Sequence, residues 1–260
     1  MIVGWATDVG LVRDHNEDAC FAGDGCLVVA DGMGGHRAGE VAAELAVRSV
    51  ASAYQSNPGS ADVRECILQA NLEVMGLAAT SPALQGMGTT LTVAFIRGPS
   101  LVVGHVGDSR AYVIRDGSIT QLTRDHSVVG ELLRCGALTE NEAKIHPQRH
   151  AITRALGFTE DLDVDTASFD LVGGDVVVLC TDGLHNLVEP DEIAGSLAPD
   201  RHPQSACASL VELARSRGGY DNVTVVAARV DQADLLEVKS MVHMAGDLPG
   251  IEACGDLGIE

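Results

Sequence analysis

Apolar and polar side chains alternate with a period of two near residues 2–9, 88–97, 100–106, 109–115 and 118–122, which predicts strands there. The Asp116-Gly117 turn joins the last two as a hairpin. Continuous apolar runs at 26–30 (CLVVA), 175–180 (DVVVLC) and 222–230 (NVTVVAARV) predict further strands, the first two buried on both faces. Helical spacing fills 38–55, 61–79, 127–135, 139–144 and 203–217, with Thr139 and Glu142 placed as a capping box. Consecutive strands joined by short turns imply antiparallel sheets rather than strict strand-helix alternation. Residues 123–164 carry charge and histidine without strand signal, which suits either a helical flap over a working face or a plain connecting subdomain.

Composition narrows the setting. With 46% hydrophobic, 21% charged and only 3% aromatic residues, the core is built from Val, Leu, Ile and Ala. Neither a basic leader followed by an apolar core nor an apolar run of roughly 18 residues is present, which points to a soluble, cytoplasmic protein with no membrane partner. Seven scattered cysteines, Cys20, Cys26, Cys66, Cys135, Cys180, Cys207 and Cys254, read as reduced and mostly buried thiols. A net charge of −20 leaves no basic stripe for nucleic acid and suits a protein that gathers divalent cations. Residues 231–260 hold seven acids against Lys239 alone, so the rest of the chain is itself acidic. This glycine-containing tail is expected to carry at most a short helix around 232–244 and a disordered end.

Four Asp-Gly pairs then stand out, at Asp24, Asp31, Asp116 and Asp182. For Asp24 and Asp116, flanked by strand residues on both sides, a turn accounts for the pair. Asp31 and Asp182 instead end buried strands, and Asp108 (VVGHVGDSR) and Asp221 (GGYDNVTVV) occupy similar edges. Separate structural turns would explain each acid singly. Convergence would explain all four, but like charges at close range need compensation. A hard divalent cation supplies it, and oxygen-only ligands favour magnesium or manganese over zinc. The stretch RDHNED offers the same choice: a solvated loop, or Arg13 clamping an oxyanion while Glu17 and Asp18 face the cations.

Eight motifs, RDHNED, VVADGMGGHRAGE, GMGTTLTVAFI, VGHVGDSRAYVIRDG, LTRDHS, HPQRHAITRALG, LCTDGLHNLV and YDNVTVVAARV, resemble in order the metal-dependent PPM/PP2C family of serine/threonine protein phosphatases in its compact bacterial form. The resemblance implies an α+β fold, an α-β-β-α sandwich of two antiparallel sheets flanked by helices, over residues 1–230 with a flap at about 123–164. It implies two or three Mn2+ or Mg2+ ions per chain. Asp31 would bridge two of them, the Gly32 carbonyl would bind one, Asp182 and Asp221 would hold the other, and Asp108 with Asp182 would take a third. Glu17 and Asp18 would act through water on the metals, and Arg13 would grip the substrate phosphate.

The implied reaction is hydrolysis of phosphoserine and phosphothreonine on proteins by a dimetal-activated water, opposing a bacterial Ser/Thr kinase, in a monomer. A catalytically silent regulator that binds a phosphoprotein, and a phosphatase of small phosphate esters, are the alternatives. Two positions depart from the family pattern. Met33 stands where many eukaryotic relatives carry a histidine acid, leaving His36 as the candidate general acid or as a loop hydrogen-bonder. Asn186 stands where many relatives carry an aspartate. Thr89 and Thr90 read as strand support, and His105, His126, His146 and His150 as structural or flap hydrogen-bonders.

Overall fold

The computed structural model describes residues 1–23, 25–34, 38–232 and 234–235. In chain order the strands are β1 (Ile2–Asp8), β2 (Asp18–Gly23), β3 (Cys26–Met33), β4 (Gly88–Thr89), β5 (Leu91–Arg97), β6 (Ser100–Val106), β7 (Arg110–Arg115), β8 (Ser118–Gln121), β9 (Asp165–Asp170), β10 (Val176–Cys180) and β11 (Val223–Arg229). The helices are α1 (Ala38–Ser56), α2 (Val63–Ala78), α3 (Val128–Arg134), α4 (Glu140–Ile145), α5 (Asp182–His185), α6 (Pro190–Ser196) and α7 (Pro203–Ser216). One antiparallel sheet runs β1-β11-β10-β7-β8; the other runs β2-β3-β5-β6-β9, with β4 paired to β3.

The uninterrupted apolar strands are explained by burial on both faces. In β3, Leu27 and Val29 point between the sheets, whereas Cys26, Val28 and Ala30 face α1 and α2. In β10, Val177 and Leu179 point between the sheets, and Val176, Val178 and Cys180 face the helices on the other side. Three apolar layers therefore separate four layers of structure, the α-β-β-α sandwich the motifs imply. Because the central strands have no wet face, nothing selects for alternation along them.

Three features differ from the sequence reading. Strands β2 (DACFAG) and β9 (DTASFD) were not predicted: both are edge strands, β2 with its apolar residues Ala19 to Ala22 in one short run and β9 with only Ala167 and Phe169 apolar. Residue 31 does not end a strand: β3 continues to Met33 because Gly32 and Met33 pair with Thr89 and Gly88. The segment 174–200 also contains α5 and α6, too short to give a periodic signal.

The predicted capping box at Thr139 and Glu142 is present. Asp116 adopts φ +51 in the tight turn between β7 and β8, as expected of Asp-Gly. No disulfide joins the described cysteines, of which Cys26, Cys66, Cys180 and Cys207 are buried and Cys135 is exposed. Among the described residues no helix is long and apolar enough to cross a membrane. The turn expected at Asp24, Cys254 and most of the tail lie outside the described residues.

Candidate functional site

Both sheets deliver carboxylates to the same end of the sandwich. Asp18 opens β2 and lies directly opposite Asp31 of β3 in the antiparallel register. Asp182 follows β10 and Asp221 precedes β11 in the other sheet, while Asp108 sits in the crossing from β6 to β7. Facing like charges on neighbouring strands destabilise a sheet. Here such a pair is built into the strand end.

The surroundings hold these acids in place without neutralising them. Thr90 Oγ1 accepts from the Asp31 N–H at 2.9 Å, and Thr89 Oγ1 donates to the Asp31 carbonyl at 3.0 Å. Thr181 Oγ1 donates to Asp18 Oδ2 at 2.8 Å, tying the two sheets together. Asn186 Nδ2 donates to Asp182 Oδ2 at 3.1 Å. Asp18 Oδ1 and Asp182 Oδ1 are buried with no hydrogen-bond partner.

Burial, followed by the neighbouring carboxylates, shifts the acids upward. Asp31 is pushed well above the usual carboxylate range by burial and then by Asp18, Asp182, Asp108 and Asp221. Burial raises Asp18 to about 7, opposed by hydrogen bonds from threonines and reinforced by Asp182 and Asp221. Asp108 rises to about 8 through burial and then Asp182, and Asp182 to about 6 through burial and then Asp221. Glu17 is raised by burial, against the opposing pull of Arg13.

Two glycines allow the backbone to close here. A Cβ on Gly32 would strike the carbonyl oxygens of Gly39 and Glu17, and one on Gly183 would strike the Asn222 carbonyl. At Gly32 the requirement is close approach rather than a left-handed φ.

Arg13 is the cation at the mouth. Its Nη2 donates to Asp221 Oδ2 at 2.9 Å, and its side chain remains 53% exposed. Asn222 holds the segment around it: its Nδ2 donates to the carbonyls of Val9 and His15, and its Oδ1 accepts from the Glu17 N–H. The flap reaches the same end, with a bridge between Thr89 and Leu156 and His150 Nδ1 4.0 Å from Asp182 Oδ2.

Arg13, Glu17, Asp18, Asp31, Gly32, Asp108, Asp182 and Asp221 therefore share one end of the fold, and His36 lies outside the described residues. Among the described residues, no three acidic, imidazole or thiol side chains are drawn together closely enough to enclose an ion as they stand. The donor chemistry nevertheless fits a hard divalent cation: every donor is oxygen, and two buried carboxylate oxygens lack a partner. Sequence reasoning assigned Thr89 and Thr90 to strand support alone and overlooked Thr181 and Asn222. The structure shows all four fixing the acids or Arg13's segment. His105 and His126 are structural as expected, with His105 Nδ1 paired to Thr92 Oγ1 at 2.9 Å and His126 Nε2 3.3 Å from Asp165.

The family model described as protein phosphatase 2C matches residues 12–208. The chain belongs to the protein phosphatase 2C family. It is 40% identical over 247 residues to the serine/threonine protein phosphatase PstP of Mycobacterium tuberculosis, a match covering 94% of this chain and 47% of that protein. This chain thus spans about half the length of the mycobacterial relative. The serine/threonine phosphatase stp of Listeria monocytogenes is 38% identical over 237 residues, covering 86% of this chain and 94% of that one. The crystal structure of M. tuberculosis PstP/Ppp superposes with a TM-score of 0.83 at 39% identity, covering 89% of this chain and all of that one. The PstP catalytic domain in complex with two manganese ions gives 0.79 at 38% identity, covering 88% and 99%. Two antiparallel sheets flanked by helices are the fold of this phosphatase family.

Proposed function

We propose that this chain is a metal-dependent phosphatase that removes phosphate from phosphoserine and phosphothreonine on proteins, including the products of a bacterial Ser/Thr kinase. The observation that carries the reading is the set of uncompensated aspartates from both sheets, with two partnerless carboxylate oxygens, beside an exposed arginine. The phosphatase domain is assigned to residues 1–230 with the flap at about 123–164; of the acidic segment 231–260, Asp234 accepts from the Met1 amino group at 2.6 Å and Leu235 packs against the apolar layer between the sheets.

In this reading Asp31, the Gly32 carbonyl, Asp182 and Asp221 would hold two Mn2+ or Mg2+ ions, Asp108 with Asp182 would take a third, and Glu17 and Asp18 would support them from behind. Such cations, when bound, lower the pKa of water and offset negative charge on a phosphoryl group. The chain does the remaining work. Arg13 exchanges its bond to Asp221 for the phosphate oxygens, a charge-assisted contact that both binds the ester and offsets charge on the equatorial oxygens. Thr89 and Thr90 fix the backbone of Asp31, Thr181 fixes Asp18 and Asn186 orients Asp182, so the strand ends are held in place and only the carboxylate side chains have to draw inward on loading. The proton for the departing serine or threonine oxygen comes from His36 or from water.

The purified protein is expected to hydrolyse p-nitrophenyl phosphate and a phosphothreonine peptide only with Mn2+ or Mg2+. Asp182→Ala should lower kcat/KM about a thousandfold, matching the several kcal/mol a catalytic cation supplies. Wild-type protein without metal-dependent turnover and indistinguishable from Asp182→Ala would overturn the reading. An unchanged pH–rate profile in His36→Ala would assign the proton to water.

A further inference from the structure

The large apolar side chains left exposed are not scattered evenly. Of nine among the described residues, Leu11, Val12 and Tyr220 flank the phosphate-side arginine and its partner, Arg13 and Asp221, in sequence and in space. They are 60%, 64% and 64% exposed, whereas the other two tyrosines, Tyr54 and Tyr112, are buried. Three aromatic side chains, Trp5, Phe158 and Tyr220, are left exposed among the described residues, and Tyr220 stands at the rim of the polar site.

This rim is built rather than loose. The Leu11 N–H donates to the Gly219 carbonyl at 2.7 Å, and Asn222 ties down the segment through the Val9 and His15 carbonyls. Gly10 takes φ +79, and a Cβ there would strike the Asp221 carbonyl. The two loops are thus seated backbone to backbone, with the exposed Leu11 side chain lying against Gly219 and the exposed Tyr220 ring over Gly218. A preformed apolar surface keeps the ordering cost of binding low.

We propose that Leu11, Val12 and Tyr220 form a docking lip for the residues beside the phosphorylated side chain of a protein substrate, favouring apolar and basic neighbours over acidic ones. The inference rests on the phosphoprotein reading above. Continuity with the mouth identifies the occupant: a phosphate gripped by Arg13 brings its own chain across this lip. Charge sets the preference, since exposed Asp14 adjoins the lip, the protein carries −20 overall, and Arg13 is engaged by the phosphate. A small ester extends no chain onto these residues.

The test compares phosphothreonine peptides with p-nitrophenyl phosphate on the manganese-loaded full chain. Peptides with leucine and lysine beside the phosphothreonine should show KM about tenfold lower than peptides with aspartate and serine there, equivalent to about 1.4 kcal/mol. In the double variant Leu11→Asn, Tyr220→Ser and separately in Val12→Asn, the ratio of peptide to small-ester kcat/KM should fall, about tenfold in the double variant. Circular dichroism confirms that each variant is folded, and the wild-type peptide series needs no variant. Turnover of both substrates with no flank preference and an unchanged ratio overturns the lip alone. Turnover of the small ester only overturns the phosphoprotein reading. A concentration-dependent dimer that the variants dissolve, with the ratio unchanged, would make the occupant a second copy and overturn the proposal.

Discussion

Two groups of buried aspartates in this molecule are treated in opposite ways. Asp125 accepts from Arg110 Nε at 3.0 and 3.2 Å and from Nη2 at 2.7 Å. Asp175, 1% exposed, accepts from Arg115 Nε and Nη2 at 2.9 and 2.7 Å and from the Val172 N–H. In these sites a planar guanidinium matches a carboxylate in both charge and shape. At the same end as Arg110, which pairs with Cys180 in register, Asp18, Asp31, Asp108 and Asp182 face one another with hydroxyls and an amide for company. The same fold that supplies arginines to some buried acids withholds them from these. The difference is best understood as room kept for a positive charge that is not a side chain.

The widest separation between the groups should come from removing one charge from each. Arg110→Met strands Asp125 in a largely buried position, and breaking such a pair costs about 2–4 kcal/mol, lowering the melting midpoint by about 5–15 °C. Asp182→Asn does the reverse in protein stripped of divalent cations: it removes one repelling carboxylate and should raise the midpoint at pH 8 by a few degrees, about 2–5 °C. Thermal melts of both variants in chelator provide the check. If Asp182→Asn destabilises the stripped protein as Arg110→Met does, the contrast is broken.

A smaller effect distinguishes the groups by pH. Asp18, Asp108 and Asp182 have folded-state pKa values raised to about 7, 8 and 6 by burial first and by neighbouring carboxylates second. A group whose folded pKa exceeds its unfolded value gives stability that is complete below the unfolded pKa and is lost as pH rises through the folded one. For the stripped protein that loss spans roughly pH 4 to 8. Asp125 behaves oppositely: Arg110 overcomes its burial and lowers its pKa, so its contribution is present above the ordinary aspartate range and is lost on acidification. The stripped protein should therefore melt about 5 °C or more lower at pH 8 than at pH 5. Excess Mn2+ should abolish that fall, and parallel curves with and without Mn2+ would show that no cation compensates the cluster.

How much of this contrast could be read from the sequence depends on distance along the chain. Asp31 and Asp182 were legible because apolar runs lead into them, and Asp108 and Asp221 because they adjoin strands of strong pattern. Antiparallel sheets were legible from consecutive strand blocks joined by short turns, and the four-layer sandwich from the resemblance that the eight motifs carry. The face-to-face placement of Asp18 and Asp31 was not, because β2 is a short edge strand whose DACFAG carries little pattern. Thr181 reaches Asp18 across 163 positions, and no local rule links them. The arginine partners were equally hidden: Arg115 meets Asp175 only because β7 lies beside β10. Residue types at strand ends announced the acids, and tertiary register decided which would be neutralised.

Asn186 lies on the border between the two groups, and changing it should give the smallest effect. Its amide donates to Asp182 Oδ2, supplying orientation but no charge, where an arginine would supply both and exclude a cation. Removing the donor in Asn186→Ala leaves Asp182 free to rotate, which should raise the Mn2+ concentration for half-maximal turnover about tenfold, the low end of the usual scale for losing a ligand's supporting hydrogen bond. Asn186→Asp also loses the donor but adds a negative charge, and attraction to a doubly charged ion should outweigh the lost orientation, moving half-saturation below the wild-type value by about threefold. A metal titration of p-nitrophenyl phosphate hydrolysis separates the terms. Opposite movements would mean that Asn186 limits cation affinity by its neutrality while holding Asp182 by its geometry. Movement of both variants upward would leave geometry as its whole contribution.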